Sequence, residues 1–309
     1  MKNKIYFESI TEEWLAARQI TSKKSTYYRY KYILNEYLFP AFKNAQIDDL
    51  YKFDYNSYVV ELSENLIAST TRNIITILKS ILRYINLKYD THIHYELIAM
   101  PRQEVEEVKV LSTKEKNKLE KYCKEDNSLR AIGIIMCLNT GLRIGEICAL
   151  KWEDIDLSKK VIKVRRTLQR VYDNTKKASY IIQDNPKSKR SYREIPISSK
   201  LFNILKPMKR EYINDAYFLT GVMDKPIEPR NYQYMFSKCL KKCGLPNYHF
   251  HQLRHTFATN CINAGMDAKS LSVILGHSNV KITLDKYVHS SIKEQRKYLE
   301  EIESYLNDD

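Results

Sequence analysis

Five side chains in this sequence have the residue types needed for a tyrosine to attack a phosphodiester. Arg143 and Arg254 carry planar forks of hydrogen-bond donors that match two phosphate oxygens and stay charged at any working pH. Tyr287 is a candidate covalent nucleophile, and its phenol needs a base or a cationic surrounding because its ordinary pKa is about 10. His251 and His277 can fill acid–base and hydrogen-bonding roles. Together these residues predict electrostatic stabilisation of a phosphate under attack.

The spacing of these residues is consistent with a single site. His251 and Arg254 are three positions apart in FHQLRHTF, so on a helix they share one face. Arg143 follows a Thr-Gly pair, where one apolar helix is expected to end and another to begin. Tyr287 comes ten residues after His277, on a short amphipathic segment that could move into and out of the site.

In these strings the chain resembles the tyrosine recombinases of the phage and mobile-element integrase type. The matching strings are T-G-L-R-x-x-E at 140–146, H-x-L-R-H at 251–255, L-G-H at 275–277 and the tyrosine of Y-x-H at 287–289. The resemblance covers the C-terminal two-thirds strongly and the N-terminal third in general character.

The resemblance implies a role for each matching residue. Arg143 and Arg254 would bind the scissile phosphate, and Glu146 would steady the first of these arginines. Tyr287 would attack the phosphate and form a 3′-phosphotyrosyl link, while His251 would accept the proton of the tyrosine.

Two further roles follow from the same resemblance. His277 would hydrogen-bond the phosphate, and a lysine on a β-hairpin turn would protonate the leaving 5′-hydroxyl. The hairpin is matched by PKSKRSYREIPI, 186–197, in which Lys187 is the chosen lysine and Lys189 the alternative, because the turn length leaves the register open.

Each residue also has a structural interpretation. The chain contains 24 tyrosines, so Tyr287 alone would be an ordinary aromatic, and Arg143 with Glu146 could be a solvated pair. Lys187 could equally be a solvated turn residue. Histidines near residue 251 together with Cys243 and Cys261 suggest a metal, but no CxxC pair is present, and we expect neither a metal nor another cofactor.

The composition predicts a polyanionic partner. Lys and Arg number 51 against 37 Asp and Glu, which gives a net charge of +14, and nucleic acid is the leading candidate. The resemblance implies that this nucleic acid is double-stranded DNA carrying recombination sites. No apolar stretch approaches the ~20 residues that span a bilayer. The start of the chain lacks an apolar leader core, and the six cysteines are irregularly spaced, so we expect a cytoplasmic protein without a membrane partner.

The predicted fold class is mainly α with a small antiparallel β-sheet. Residues 1–100 are predicted to form a helical core-type DNA-binding domain, 101–110 a linker, and 111–309 an α+β catalytic domain. Strands are expected at 161–167, 180–183 and 191–197, with 168–179 as a hairpin lying on DNA or a loop. The apolar stripe at 291–306 predicts a C-terminal helix, which the resemblance implies contacts a neighbouring subunit; packing within the chain is the alternative.

Two predicted helices of the first domain carry candidate DNA contacts. Helix 22–39, which Pro40 is expected to end, interleaves basic residues with tyrosines, and helix 71–87 has an apolar stripe opposite a basic face. Solvated amphipathic helices are the alternative interpretation. The candidate contacts are Lys23, Lys24, Arg29, Arg72, Lys79 and Arg83.

The predicted function is site-specific cleavage and rejoining of DNA through a Holliday junction by a homotetramer. An excision factor or a DNA-bending protein is a candidate accessory partner. Three alternatives stay open: a Xer-like resolvase of chromosome or plasmid dimers, a type IB topoisomerase, and a non-catalytic DNA-binding protein. The target sequence and the crossover spacing depend on base contacts and DNA deformability, which the residue pattern does not specify.

Overall fold

The chain forms two compact units, each with its own hydrophobic core. The computed structural model describes residues 5–102, 109–173, 176–184 and 192–287, with Arg296, Leu299, Glu300, Ile302 and Glu303 beyond them. The first unit comprises Met1–Glu107 and Arg170–Ile182, and the second comprises Val108–Gln169 and Gln183–Asp309.

Helices make up most of the first unit. They are α1 (Phe7–Thr21), α2 (Lys24–Ile33), a π-helical turn (Leu34–Leu38), α3 (Phe39–Phe42), α4 (Ile47–Lys52), α5 (Tyr55–Asn65), α6 (Ala68–Tyr89) and a 3-10 turn (Tyr95–Leu97). The longest of them, α6, buries the predicted stripe of Ile74, Leu78, Ile81 and Ile85 completely, which confirms the helical periodicity.

The prediction that Pro40 ends the second helix is wrong. Helix α2 continues through the π-helical turn into α3, and Pro40 lies in the first turn of α3. The helix continues past Pro40 because the π-helical turn just before it already alters the i→i−4 hydrogen-bond pattern in which proline lacks a donor.

A two-stranded sheet, formed by β3 (Thr167–Asp173) and β4 (Ala178–Asp184), contributes most of its length to the first unit. The Tyr28 ring of α2 meets Tyr180 edge to face at 5.7 Å, and Tyr32 meets Tyr172 in the same way at 6.2 Å. Two tyrosines of α2 therefore pack against protein, whereas the sequence suggested a tyrosine-laced surface for phosphate contact.

The second unit is also mainly helical. Its helices are α7 (Thr113–Asp126), α8 (Leu129–Thr140), α9 (Ile144–Ala149), a 3-10 turn (Trp152–Asp154), α10 (Ser199–Met208), α11 (Pro229–Lys242), α12 (His251–Asn263), α13 (Ala268–Leu275) and α14 (Lys281–Tyr287). A capping box begins α7 as predicted, because Ser112 N–H donates to Glu115 Oε2 at 2.8 Å and Ser112 Oγ accepts from Glu115 N–H.

An antiparallel sheet of order β1-β2-β5 completes the described part of the second unit. Its strands are β1 (Ile155–Asp156), β2 (Val161–Val164) and β5 (Arg193–Pro196). Ile162 pairs with Ile195, and Val164 pairs with Arg193. Because alternate residues of a strand point to the same face, Arg193 is carried to the buried side together with Ile195. The mainly helical fold with small sheets confirms the predicted fold class.

Helix α8 leads directly to the first arginine of the motif. Ser128 caps its N-terminus, and its side chains are buried along almost the whole length. Gly141 ends the helix with φ +66°, a left-handed conformation that costs glycine little. None of the helices in the described ranges has the length and apolar character needed to cross a bilayer.

Candidate active site

Three arginines surround one buried carboxylate in the second unit. We call Arg143, Glu146, Arg193 and Arg254 the arginine cluster. Arg193 donates two parallel hydrogen bonds to Glu146, Nη1 to Oε1 at 2.9 Å and Nη2 to Oε2 at 2.8 Å. Arg143 Nη1 donates to the same Oε1 at 2.8 Å. Glu146 therefore binds the guanidinium groups of both Arg143 and Arg193.

The charge of Glu146 is secured by its partners. Burial opposes its ionisation, yet the hydrogen bonds and charge of Arg193, with the charge of Arg143, lower the pKa of Glu146 to about 2. Its Oε2 also accepts from the Arg143 backbone N–H at 2.9 Å, which caps the first turn of α9. The same carboxylate thus starts a helix and orients an arginine.

Arg254 connects two helix ends. It is 1% exposed, and its two terminal nitrogens each donate at 2.8 Å, to Gly141 O at the end of α8 and to Leu275 O at the end of α13. Burial, reinforced by the charge of Arg143, lowers the pKa of Arg254 to about 9, which leaves the guanidinium charged at neutral pH. Its position is set by backbone carbonyls and not by a flexible side-chain partner.

Arg143 is the accessible member of the arginine cluster. Its side chain is 37% exposed, although Nη2 also donates to Gly276 O at 3.2 Å. Gly276 ends α13 with φ +64°, and a Cβ there would lie 3.0 Å from Arg193 Cδ. Glycine at this position lets the end of α13 lie close to the Arg193 side chain, while its carbonyl accepts from Arg143.

A second group, which we call the histidine–tyrosine cluster, consists of His251, His255, His277, Thr283 and Tyr287. His255 Nδ1 lies 2.6 Å from the Tyr287 hydroxyl, and His277 Nδ1 lies 2.8 Å from Thr283 Oγ1. The His251 and His255 rings meet edge to face with centroids 4.5 Å apart, one helical turn apart on α12. The side chains of the histidine–tyrosine cluster are thus joined to one another by single hydrogen bonds or by ring contacts.

All three histidines favour the neutral form. Partial burial is the main cause that lowers the pKa of His251 and of His255 to about 4. The next cause is the charge of Arg254 for His251, and the charge of His251 for His255. Burial and the charges of Arg254 and Arg143 lower the pKa of His277 to about 3. At neutral pH the rings are therefore able to accept protons.

Tyr287 is buried in this structure. It is 7% exposed and packs in a small apolar cluster with Ala258, Leu271 and Leu275. Burial raises the pKa of Tyr287, while the charges of Arg254 and Arg143 act in the opposite direction. Those positive charges would favour the phenolate during an attack on a phosphate.

The structure brings six of the sequence-predicted residues into one region of the second unit. They are Arg143, Glu146, His251, Arg254, His277 and Tyr287. Lys187 and Lys189 lie outside the described residues. Within the described ranges, no group of three or more histidines, cysteines or acidic residues is arranged to hold a metal ion.

Two residues of the site were missed by the sequence reasoning. Arg193 could have been found from the alternation in REIPI, because it shares a strand face with the apolar Ile195 and Ile197. His255 could have been found from its four-residue spacing to His251 on one helix face. Neither signal indicates which partner the side chain meets.

The predicted DNA contacts all lie in the first unit. The exposed ones are Lys24, Arg29 and Arg83, and the half-buried ones are Lys23, Arg72 and Lys79. Arg72 donates to the Pro101 carbonyl at 2.7 Å, and Lys79 donates to the Glu96 carbonyl at 3.4 Å. These two side chains therefore also hold the segment that follows α6.

Comparison with known proteins identifies the family of the chain. Residues 109–294 match the phage integrase family, and residues 6–63 match the N-terminal SAM-like domain of phage integrases. The chain therefore belongs to the phage integrase family, which confirms the resemblance seen in its motifs.

Relatives of known name share parts of the sequence. A XerC-like tyrosine recombinase of Caldanaerobacter subterraneus subsp. tengcongensis is 33% identical over 218 residues, which cover 65% of this chain and 55% of that protein. The ICEBs1 integrase of Bacillus subtilis (strain 168) is 26% identical over 98% of this chain and 84% of its own length. The chain spans between about half and two thirds of the length of several relatives that it matches.

A solved structure has the same fold. The integrase of transposon Tn1549, in complex with transposon right-end DNA, superposes with a TM-score of 0.77 at 23% identity, over 96% of this chain and 99% of that one. At this level of identity the likeness concerns the fold alone.

Proposed function

We propose that this protein is a site-specific DNA recombinase that cuts and rejoins strands through a covalent phosphotyrosine. The observation that carries the proposal is a buried tyrosine hydroxyl, 2.6 Å from a neutral histidine, in the electrostatic field of Arg143 and Arg254. This arrangement supplies a nucleophile, a proton acceptor and two cations for a phosphate. Membership of the phage integrase family supports the same chemistry.

In the proposed reaction Tyr287 Oη attacks the scissile phosphorus as its proton passes to a histidine of α12, a role that the family resemblance gives to His251. Arg143 and Arg254 hold two non-bridging oxygens and stabilise the charge that develops there. The bond to the 5′ oxygen breaks, and that oxygen takes a proton from the general acid, for which Lys187 is our choice. The phosphotyrosyl bond conserves the energy of the diester, so no nucleotide cofactor is needed.

Rejoining reverses these steps on a partner strand. A 5′-hydroxyl from a second duplex attacks the phosphotyrosine and releases Tyr287. Exchange of one strand pair gives a Holliday junction, and exchange of the other pair resolves it. Because two duplexes carry four cleavage positions and each active site supplies one tyrosine, we propose a homotetramer on DNA, acting in the cytoplasm. An excision factor or a DNA-bending protein would act as an accessory partner.

The biological role that we favour is integration and excision of a mobile element. The near full-length similarity to the ICEBs1 integrase supports it. A resolvase of chromosome or plasmid dimers is the second candidate, which the 33% identity to a XerC-like recombinase supports. A plasmid with two directly repeated native sites distinguishes recombination, which yields two circles, from topoisomerase activity, which only relaxes supercoils.

The decisive experiment uses a nicked suicide duplex that carries the native site, in EDTA, with denaturing gels. The site is taken from the ends of the element that encodes the protein. We expect a covalent protein–DNA band that disappears in Tyr287→Phe and persists in the control Tyr234→Phe, an exposed tyrosine of the same unit. Retention of the band in Tyr287→Phe would refute the nucleophile. If the wild type binds the duplex firmly but gives no covalent band, the alternative of a non-catalytic DNA-binding protein would be favoured.

The general acid can be tested separately, on a duplex with sulfur in place of the bridging 5′ oxygen. Sulfur leaves without a proton, so the loss caused by removing the general acid should disappear on this substrate. We expect rescue for Lys187→Ala, and little loss on either substrate for Lys189→Ala. The opposite result would assign the role to Lys189.

We also propose that residues 1–100 form a DNA-binding domain and 111–309 the catalytic domain, joined by 101–110, with the C-terminal segment contacting a neighbouring subunit. Leu299 and Ile302 are apolar and exposed, which supports that contact. Limited trypsin digestion should cut first at Arg102 or Lys109.

A measurement of DNA affinity against salt tests the candidate contacts of the first unit. If Arg83 neutralises a phosphate, Arg83→Ala should reduce the slope of log affinity against log salt by about 0.9. Lys121→Ala, an exposed lysine of α7, should leave the slope unchanged. A slope unaltered in Arg83→Ala would remove that residue from the contact set.

A further inference from the structure

The nucleophile of the site is paired with a histidine that no motif role accounts for. The Tyr287 hydroxyl lies 2.6 Å from Nδ1 of His255, and the two rings are 5.6 Å apart. Among the described residues, His255 is the only hydrogen-bond partner of that hydroxyl. The family resemblance gives the role of proton acceptor to His251. The ring of His251 instead meets the ring of His255 edge to face.

We propose that His255 is the residue that holds the Tyr287 hydroxyl and takes its proton during cleavage. This inference rests on the proposed function, because it assigns a step in the same reaction. His251 then contacts the nucleophile only through His255, as a positioning residue behind it.

The geometry selects one tautomer of His255. A buried phenol O–H needs an acceptor, and Nδ1 can accept only when the ring proton is on Nε2. His255 is half-buried and its ring is braced by His251 on one side and Tyr287 on the other, whereas the outer ring, His251, is exposed. Nδ1 of His255 therefore offers its lone pair to the hydroxyl at hydrogen-bond distance, which is the condition for proton transfer.

The charges around His255 make its basicity depend on the substrate. His251 and Arg254 on α12 and Lys286 on α14 face it, and with partial burial they lower the pKa of His255 to about 4. A phosphodiester bound to Arg254 and Arg143 adds a negative charge that offsets this repulsion, so the proton affinity of His255 rises when DNA is bound. The free protein therefore keeps a neutral ring and a protonated, unreactive phenol.

The proposed step is balanced. As Tyr287 Oη forms its bond to phosphorus, its proton moves to His255 Nδ1 and gives an imidazolium. The bond to the 5′ oxygen breaks, and that oxygen takes its proton from the separate general acid. In rejoining, a 5′-hydroxyl attacks phosphorus and the imidazolium returns the proton to the phenolate oxygen as it leaves.

The test compares single-turnover rates of covalent-complex formation on the suicide duplex for full-length wild type, His255→Asn, His255→Ala, His251→Asn and the exposed control His249→Asn. Asparagine keeps an acceptor close to the place of Nδ1 but cannot take up a proton in this pH range, so it separates holding the hydroxyl from accepting its proton. We expect His255→Asn to be slower by about 10²–10³-fold, as for loss of a general base. His255→Ala should be slower still, and DNA binding and melting temperature should stay close to wild type in His255→Asn.

Two readouts distinguish a proton acceptor from a merely structural residue. In His255→Asn the phenol must ionise to solvent, so the rate should rise about tenfold for each pH unit below the phenol pKa, whereas a packing defect would slow the reaction equally at every pH. The 5′-thio substrate should not rescue His255→Asn, because the missing proton transfer is on the nucleophile side.

The outcomes separate this inference from the proposed function. If wild type forms the Tyr287-dependent adduct and His255→Asn reacts within about twofold of it, the inference alone is wrong. Rescue of His255→Asn by the 5′-thio substrate would also overturn it, by moving His255 to the leaving group. If wild type forms no covalent adduct on any substrate, the proposed function fails, and the inference fails with it.

Discussion

The arginine cluster and the histidine–tyrosine cluster are neighbours in one unit but are built in opposite ways. In the arginine cluster, Glu146, Arg193 and Arg254 are almost completely buried, and each makes two or more hydrogen bonds. In the histidine–tyrosine cluster, Tyr287 and His277 each depend on one hydrogen bond, on or beside the seven-residue helix α14. The arginine cluster is therefore fixed by several hydrogen bonds per residue, whereas Tyr287 and His277 are held by fewer polar contacts.

The difference matches the chemistry proposed for each part. Groups that stabilise a developing charge act best when they are oriented before the reaction, since no energy is then spent on reorganisation. A nucleophile that is buried in the free protein must be exposed to DNA, and a short helix with few contacts can move at low cost. We therefore expect the site to combine a rigid part, which would hold the phosphate, with a part that can rearrange.

The largest expected effect comes from removing the carboxylate at the centre of the arginine cluster. Glu146→Ala leaves the buried guanidinium of Arg193 unpaired and should lower the free energy of unfolding by about 3–5 kcal/mol. Chemical denaturation of the full chain measures it. The control Glu153→Ala removes a more exposed partner of Arg166, which keeps Asp154, and should cost less than about 1 kcal/mol. Equal losses in the two variants would contradict the description of a rigid arginine cluster.

A second prediction concerns the glycine that ends α8. A Cβ on Gly141 would come within 2.7 Å of both Leu275 and Phe257, whereas one on Gly265 would meet nothing within 4 Å. Both glycines have positive φ, so each alanine variant should lose about 1–2 kcal/mol through backbone strain. Gly141→Ala should lose about 1–3 kcal/mol more through overpacking. It should also slow cleavage, because the Gly141 carbonyl positions Arg254.

Acid should weaken the histidine–tyrosine cluster before the arginine cluster. His255 and His277 have folded-state pKa values of about 4 and about 3, below the 6.5 of an unfolded chain. Between those pH values the unfolded state binds more protons than the folded state. The contribution of the two histidines to the free energy of unfolding is therefore complete above pH 6.5 and declines as pH falls towards 3. The pKa of Glu146 falls from 4.5 to about 2 on folding, so its contribution to stability is complete above pH 4.5 and declines as pH falls towards 2.

Chemical denaturation of the wild type should give a free energy of unfolding that is lower at pH 4.5 than at pH 7 by about 1–2 kcal/mol. This figure allows for solvent screening of the half-exposed rings. A His255→Gln, His277→Gln double variant should lose less over the same interval. Equal pH dependence in the two proteins would place the titrating groups elsewhere.

The smallest expected effect comes from removing one hydrogen bond of the histidine–tyrosine cluster. Thr283 is completely buried and its hydroxyl meets His277 Nδ1 at 2.8 Å. Thr283→Val has the same shape without the hydroxyl and should cost about 1 kcal/mol of stability. Cleavage on the suicide duplex should slow a few-fold, because His277 loses its orientation. Thr283→Ser keeps the hydroxyl and should retain the wild-type rate.

Features that depend on neighbouring residues were predicted well. The apolar stripe of α6, the capping box that begins α7 and the helix end at Gly141 follow from periodicity and capping, which act within a few residues. The mainly helical class with small sheets was confirmed for the same reason. The error at Pro40 arose because the sequence does not reveal the π-helical turn that lets the helix continue past the proline.

Pairings between distant residues were not predictable from the pattern. Arg193 and Glu146 are 47 positions apart, and the pairing of β5 with β2 decides that Arg193 points inward. The packing of Tyr28 against β4 and of Tyr32 against β3 is likewise a long-range contact. Local propensity contains no information about such partners.

The sequence by itself determined the helices, their caps and the set of residue types that a tyrosine needs to attack a phosphate. Only the tertiary structure decided which histidine meets Tyr287, because His255 and Tyr287 are 32 positions apart and belong to different helices. On α12 both His251 and His255 face the same side, so the choice between them depends on how α14 docks. That docking is set by packing of Tyr287 against Ala258, Leu271 and Leu275, a sum of contacts that no local pattern encodes.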